Sequence, residues 1–176
     1  MLTVILKTGF IKADLLRRIR IIREFTEQRF FASDGEKGKK DLEEFLSKDE
    51  FSDDDRKIIK GYGQEFFRSY TKENAYDFLE EIEKGVKKLE TINVYVPMEL
   101  DAASVEKLGM WVRDSIGQNI LIELHIDVTA VGGCAFARGG AYHDFSLHHA
   151  FTTHGKEIKG ILDNYIKNTQ GSQQSS

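Results

Sequence analysis

The sequence predicts an α+β chain: an N-terminal all-α helical bundle over residues 1–90, then a small mixed α/β domain, 91–167, in the order β-α-β-β-β-α. Three observations carry the prediction. Apolar residues recur at helical spacing as far as Leu89, and from Glu90 they alternate instead. Two glycine pairs, Gly132–Gly133 and Gly139–Gly140, punctuate the second part. The single proline, Pro97, stops the first alternating run. Residues 168–176, rich in Gln and Ser, are expected to form a disordered tail.

Composition bounds the class. The 176 residues suit one ordinary domain or two small ones, and 40% hydrophobic content is enough for a real core. A net charge of −4 argues against general nucleic-acid binding, which shows a basic excess. One cysteine, Cys134, excludes an internal disulfide framework and a multi-cysteine zinc site, so a reducing compartment is expected. No apolar run approaches the ~18 residues of a membrane span, and no cleavage site follows the briefly apolar start at 1–10. Any membrane association is expected to run through a partner.

The elements follow in order. Residues 11–30 place Ile11, Leu15, Ile19, Ile22, Phe25 and Phe30 on one stripe, with Arg17, Arg20, Glu24 and Glu27 opposite, which predicts an amphipathic helix. The run Arg17, Arg18, Arg20, Arg23 reads either as a patch for an acidic partner or as a solvated face balanced by Glu24 and Glu27; the second is preferred. Residues 33–40 read as a loop and 41–46 as a short helix. Ser52 followed by Asp53, Asp54 and Asp55 reads as a capped helix start. That helix carries Ile58, Ile59, Tyr62, Phe66 and Tyr70, with Gly61 and Gly63 weakening it. Residues 72–89 form a further helix on Ala75, Phe78, Leu79, Ile82, Val86 and Leu89, making about four helices in the first ninety residues.

Residues 91–96 form a strand with Ile92, Val94 and Val96 on one face. A helix over 102–116, on Val105, Leu108, Val112 and Ile116, leaves Trp111 off its stripe. Residues 119–126 form a second strand with Ile120, Ile122, Leu124 and Ile126 inward. Gly139–Gly140 then makes a two-residue hairpin turn between short strands, because both central residues need positive φ. Gly132–Gly133 marks a bulge, a positive-φ corner or a close backbone approach. Ser146 caps a last helix carrying Phe151, Ile158, Ile161 and Tyr165.

Chemistry is sparse. His143, His148, His149 and His154 are close in sequence, but on a helix His148 and His149 are ~100° apart and His154 lies on another side, so a shared metal is not expected. Cys134 reads as a buried structural thiol in a strand, since no oriented base accompanies it. The glycines match neither phosphate-binding pattern. No catalytic, cofactor-binding or metal-binding residue is predicted, and no cofactor is expected.

Asp127, Val131, Gly132-Gly133, the short strand at 134–138, Gly139 and Asp144-Phe145-Ser146 follow in an order that resembles the C-terminal signature of one family. It is the delta subunit of the F-type ATP synthase, called the oligomycin-sensitivity-conferring protein in mitochondria. The stretch Val94-Tyr-Val-Pro-Met-Glu-Leu-Asp101 and the helix after it are similar to the strand and helix that precede that signature. The resemblance covers about residues 91–150. Val128 stands where the family usually has proline, and the helical part is shorter than the family's six-helix N-terminal domain.

The resemblance implies a non-catalytic stator subunit of the proton-translocating ATP synthase, peripheral on the cytoplasmic face of the cell membrane. It would link the catalytic head to the b subunits of the peripheral stalk. The N-terminal bundle, with Leu15, Ile19 and Ile22, would receive an N-terminal segment of the α subunit. The last helix would contact the b helices through Phe151, Ile158, Ile161 and Tyr165, unless those side chains simply cover the sheet. Gly132, Gly133, Gly139, Gly140, Asp144 and Ser146 would be structural turn residues. The alternative is an unrelated two-domain protein-interaction adaptor.

Overall fold

The computed structural model describes residues 2–31 and 42–171, and the chain is α+β as expected. The loop expected at 33–40 and the end of the expected tail, 172–176, lie outside the described residues. By contacts the chain divides into two compact units, Met1–Thr91 with Ala102–Glu123, and Ile92–Asp101 with Leu124–Ser176.

The first unit holds α1 (Leu2–Leu6), α2 (Lys12–Phe31), α3 (Leu42–Leu46), α4 (Asp53–Gly61), α5 (Gly63–Arg68) and α6 (Ala75–Lys88). Six helices thus stand among the described residues where about four were expected. One extra is α1; the other arises because Gly63 has φ +76 and splits one expected helix into α4 and α5. A left-handed residue cannot continue a right-handed helix. Helix α2 packs on α6 and α4, and its burial is wider than one stripe: Leu15, Ile19, Ile22 and Phe25 are buried, and so are Ile21, Arg18 and Thr26. Around it Phe25 meets Phe45 at 5.4 Å and Phe67 at 5.5 Å between ring centroids, and Phe45 meets Phe51 at 5.2 Å. Each fully buried large side chain contributes about 1.5–3 kcal/mol.

Helix α7 (Ala102–Ser115) belongs to this unit as well. Arg113, on α7, donates to the carbonyls of Leu6 and Gly9 at 2.6 and 2.7 Å, closing the end of α1, and lies 4.2 Å over the Phe10 ring. That ring also meets Gly109, where an added Cβ would stand 2.0 Å from Phe10 Cγ. Alanine in a helix interior normally gains about 1 kcal/mol over glycine. Here the ring is held by Arg113 and cannot step aside, so Gly109→Ala is expected to destabilise by about 1–3 kcal/mol, as overpacking does. A lower denaturant midpoint at unchanged slope is the reading that checks it.

The sheet has the order β2-β1-β3-β4, from β1 (Thr91–Val96), β2 (Leu121–Ile126), β3 (Ala135–Arg138) and β4 (Ala141–Asp144). Leu121 N–H bonds Glu90 O and Asp127 N–H bonds Val96 O, partners that advance together as in a parallel pair. β3 pairs antiparallel with β1 and with β4. β1 matches its expected alternation, with Ile92, Val94 and Val96 buried. β2 does not. Ile120, Leu121 and Ile122 are all buried, whereas Ile126 is 57% exposed. Leu121 joins the helical core, and on the strand's free edge Ile122 N–H bonds Phe10 O, forming a parallel bridge with Ile11. The start of β2 is therefore covered on both faces, and simple alternation fails there.

The last helical segment, α8 (Leu147–Gly171), is two helices meeting at a kink at His154, and the second takes in 168–171, which were expected in the disordered tail. A helix once formed extends by one bond for each residue fixed, so the polar residues 168–171 continue it without apolar spacing of their own.

Candidate functional site

The region of interest is the corner leading into α8, with the face that α8 presents. Asp127 Oδ1 accepts the backbone N–H and hydroxyl of Thr129 at 3.0 and 2.6 Å, starting a 3₁₀ turn, Val128–Ala130. The chain then reverses through Val131 (φ +63) and Gly133 (φ +76). Gly132 O accepts Leu147 N–H at 2.9 Å, and Cys134 O accepts Phe145 N–H at 2.9 Å. A Cβ at Gly133 would lie 2.3 Å from Phe145 O, so the first glycine pair is both a positive-φ corner and a close approach. The second pair makes the expected hairpin turn, with φ +56 at Gly139 and +83 at Gly140 between the partners Arg138 and Ala141.

Asp144 and Ser146 set the helix start. Asp144 Oδ1 accepts Ser146 N–H at 2.8 Å, and Ser146 Oγ accepts His149 N–H at 3.1 Å. These bonds from Ser146 hold the Asp144 carboxyl below the usual carboxylate range. Gly132, Gly133, Asp144 and Ser146 thus fix where α8 begins, while Gly139 and Gly140 turn the hairpin.

Helix α8 itself leaves its apolar side in solvent. Phe151 is 54% exposed, Ile161 69% and Tyr165 70%; Ile158 is half-buried. The cover-the-sheet reading therefore does not describe these side chains. Leu147, Phe151, His154, Ile158, Ile161 and Tyr165 follow at alternating steps of four and three, the spacing of a coiled-coil seam. His154 interrupts the seam with a non-helical backbone (φ −113, ψ 18) and lies 3.3 Å from Glu157.

Leu15, Ile19 and Ile22, expected to meet a partner, are fully buried in the helical core and present nothing outward. The outward side of their helix carries Arg17 and Arg20 instead. A surface feature of that unit is a groove of about 740 Å³ between α1 and α6, floored by Leu2, Phe78, Ile82 and Gly85 and edged by Glu80, Glu81, Lys84 and Lys88. The sequence reading missed it because α1 was not read as a helix, although Leu2, Ile5 and Leu6 carry helical spacing.

The arginine cluster is engaged inside the unit. Arg17 Nε and Arg18 Nε donate to the two oxygens of Asp55 at 2.7 and 2.8 Å, and Arg23 pairs with Glu83 at 2.6 Å. Cys134 is half-buried and precedes β3, so it is neither fully buried nor within a strand. His149 lies 3.9 Å from Asp144. Among the described residues no group of three or more His, Cys, Asp and Glu side chains is placed to hold a metal.

Compared with protein-family models and with curated proteins, the chain matches none.

Proposed function

We propose that this chain is a non-catalytic stator subunit of the delta type, linking the catalytic head of an F-type proton-translocating ATP synthase to the b subunits of its peripheral stalk. One observation carries the reading: the residues from Asp127 to Ser146, which resemble the delta signature, fix the start of a helical segment that is kinked at His154 and leaves Phe151, Ile161 and Tyr165 more than half exposed. Such side chains gain stability by burial against another helix. The b subunits would supply that helix. In the first unit, the groove between α1 and α6 offers an apolar floor and a charged rim to an amphipathic segment of the α subunit, in the helix-in-groove manner.

The work is mechanical. A joint that holds the head still while the rotor turns needs two separate contact faces, and these lie on different units of the chain. Membrane location would come through the partners, and no helix of the described residues is long and apolar enough to cross a membrane.

Phe151→Ser with Ile161→Ser tests the stalk end. Both side chains are more than half exposed, so the unfolding free energy is expected to move by less than about 1 kcal/mol. Co-purification with b subunits from membranes should fall at least tenfold, as loss of a buried apolar anchor implies. Titration with the N-terminal peptide of the α subunit tests the head end, with Gly85→Leu filling the groove. If the wild-type chain binds neither b nor the α peptide, the stator reading fails and the adaptor reading replaces it.

A further inference from the structure

The second unit holds a small polar cavity apart from the α8 seam. It measures about 40 Å³ and is lined by Tyr95, Asp127, Tyr142, Asp144 and His148 over a floor that includes Ala135. That is a few times the ~10–15 Å³ needed to hold one water, so it admits a small head group and not a whole metabolite. Among the described residues, no lysine or arginine lines it.

Two aromatic rings form its walls. Tyr95 and Tyr142 lie 6.0 Å apart at 63°. Tyr95 is held from behind by His125, stacked at 5.0 Å, whose Nε2 shares a 2.9 Å hydrogen bond with Asn93. The register explains the meeting: Tyr95 pairs with Ala135 on β3, and Ala137 beside it pairs with Tyr142 on β4, so small alanines separate the two tyrosines. The two carboxylates are preset as well. Asp127 is fixed through Oδ1 by Thr129, and Asp144 through Oδ1 by Ser146. A carboxylate offers about four acceptor sites, so these bonds do not exhaust either group. Desolvation, followed by the charges of Asp144 and Asp127, raises the Tyr142 phenol above its usual value, which places the field of both carboxylates at this spot.

The exposed Tyr142 ring attracts a cation through its negative face, and two fixed carboxylates add charge and hydrogen-bond acceptors. From this we propose that the Tyr95–Tyr142 cavity binds the cationic head of an alkylguanidinium or alkylammonium group. The head belongs either to an arginine or lysine side chain of a bound protein or to a free amine. The assignment is independent of the stator reading, because it rests on the cavity alone.

The test is an NMR titration of the isotope-labelled full chain at pH 8, above the ordinary imidazole range. N-acetyl-arginine methylamide is expected to shift the ring signals of Tyr95 and Tyr142 with a dissociation constant of about 1–10 mM, the range that a few weak contacts give. The citrulline analogue, equal in shape and uncharged, should bind at least tenfold more weakly. Asp127→Asn with Asp144→Asn keeps both turn caps, since Asn serves there too, and should weaken binding at least tenfold. Tyr142→Leu should weaken it about fivefold. Circular dichroism confirms that the variants are folded. Spermidine binding more tightly than the arginine derivative assigns the site to a free amine; the reverse assigns it to a protein side chain. The proposal is overturned if citrulline binds equally, if the double Asn variant binds like wild type, or if no cation moves these signals.

Discussion

Replacing Asp55 with alanine is expected to cost the helical unit about 3–5 kcal/mol, the range for breaking a buried ion pair from one side. Asp55 is 1% exposed and Arg18 5%. Arg18 Nε donates to Asp55 at 2.8 Å, and its other bond reaches Thr8 O at 2.8 Å, so one carboxylate ties α2 to the start of α4 and to the turn after α1. Alanine would leave the Arg18 guanidinium buried with that carbonyl alone. The adjacent aspartates provide the control. Asp53 is almost wholly exposed beside Arg56, and Asp53→Ala should cost less than about 1 kcal/mol, through the helix dipole and a surface pair. Thermal unfolding followed at a helical signal separates the two. If Asp55→Ala falls within about 1 kcal/mol of wild type, the network is not what holds these segments together. Replacing Arg18 and Asp55 together with leucine should recover most of the loss, because no charge is then left buried.

The same group predicts a pH dependence. Burial pushes the Asp55 carboxyl up, but hydrogen bonds from Arg17, Arg18 and Ser52 outweigh it and hold it below the ordinary value. A depressed carboxylate stabilises fully above its unfolded value, ~3.9, and loses that contribution as pH falls through the folded value. Wild-type stability should therefore decline more steeply below about pH 4 than that of Asp55→Ala. Parallel acid limbs in the two proteins would remove Asp55 from the account.

What could be read ahead of the structure was what depends on neighbours in sequence. The β1 alternation, the Ser52 cap and the Gly139–Gly140 turn are each decided within a few residues, and each stands as expected. Asp55 was not legible, because its burial is decided by Arg17 and Arg18, 38 and 37 residues earlier. Nor was the double burial of early β2, which comes from Phe10, Ile11 and the helical core. Helix α1 has five residues, too few to be stable alone, and only packing on α6 and the Arg113 closure of its end make it visible. With α1 unseen, the groove it forms was unseen, and partner contact was assigned to side chains that fill the core. The α8 seam was the opposite case: its spacing was present in the sequence, but only its exposure distinguishes a docking face from a sheet cover.

Gly133→Ala is expected to cost the second unit about 3 kcal/mol, and the comparison among the glycines shows why. A left-handed φ alone costs a residue with a Cβ about 1–2 kcal/mol. Gly139→Ala should pay no more than that, since φ is +56 but nothing lies within 4 Å of the added atom. At Gly132 the added Cβ meets Leu147 Cδ1 at 2.8 Å, the far end of a flexible side chain that can turn away. At Gly133 the obstacle is the carbonyl oxygen of Phe145 at 2.3 Å, which is backbone and sits between β4 and the start of α8. Relief requires the strap from Gly132 to Cys134 to lift, which strains the Phe145 N–H to Cys134 O and Leu147 N–H to Gly132 O bonds. Faster hydrogen exchange at the Phe145 and Leu147 amides in Gly133→Ala than in Gly139→Ala would follow from that lifting. Equal exchange in the two variants would mean that α8 is positioned without the strap. In that case the glycine corner and the exposed seam would be independent features, and the corner could not be what aims the last helix at its partner.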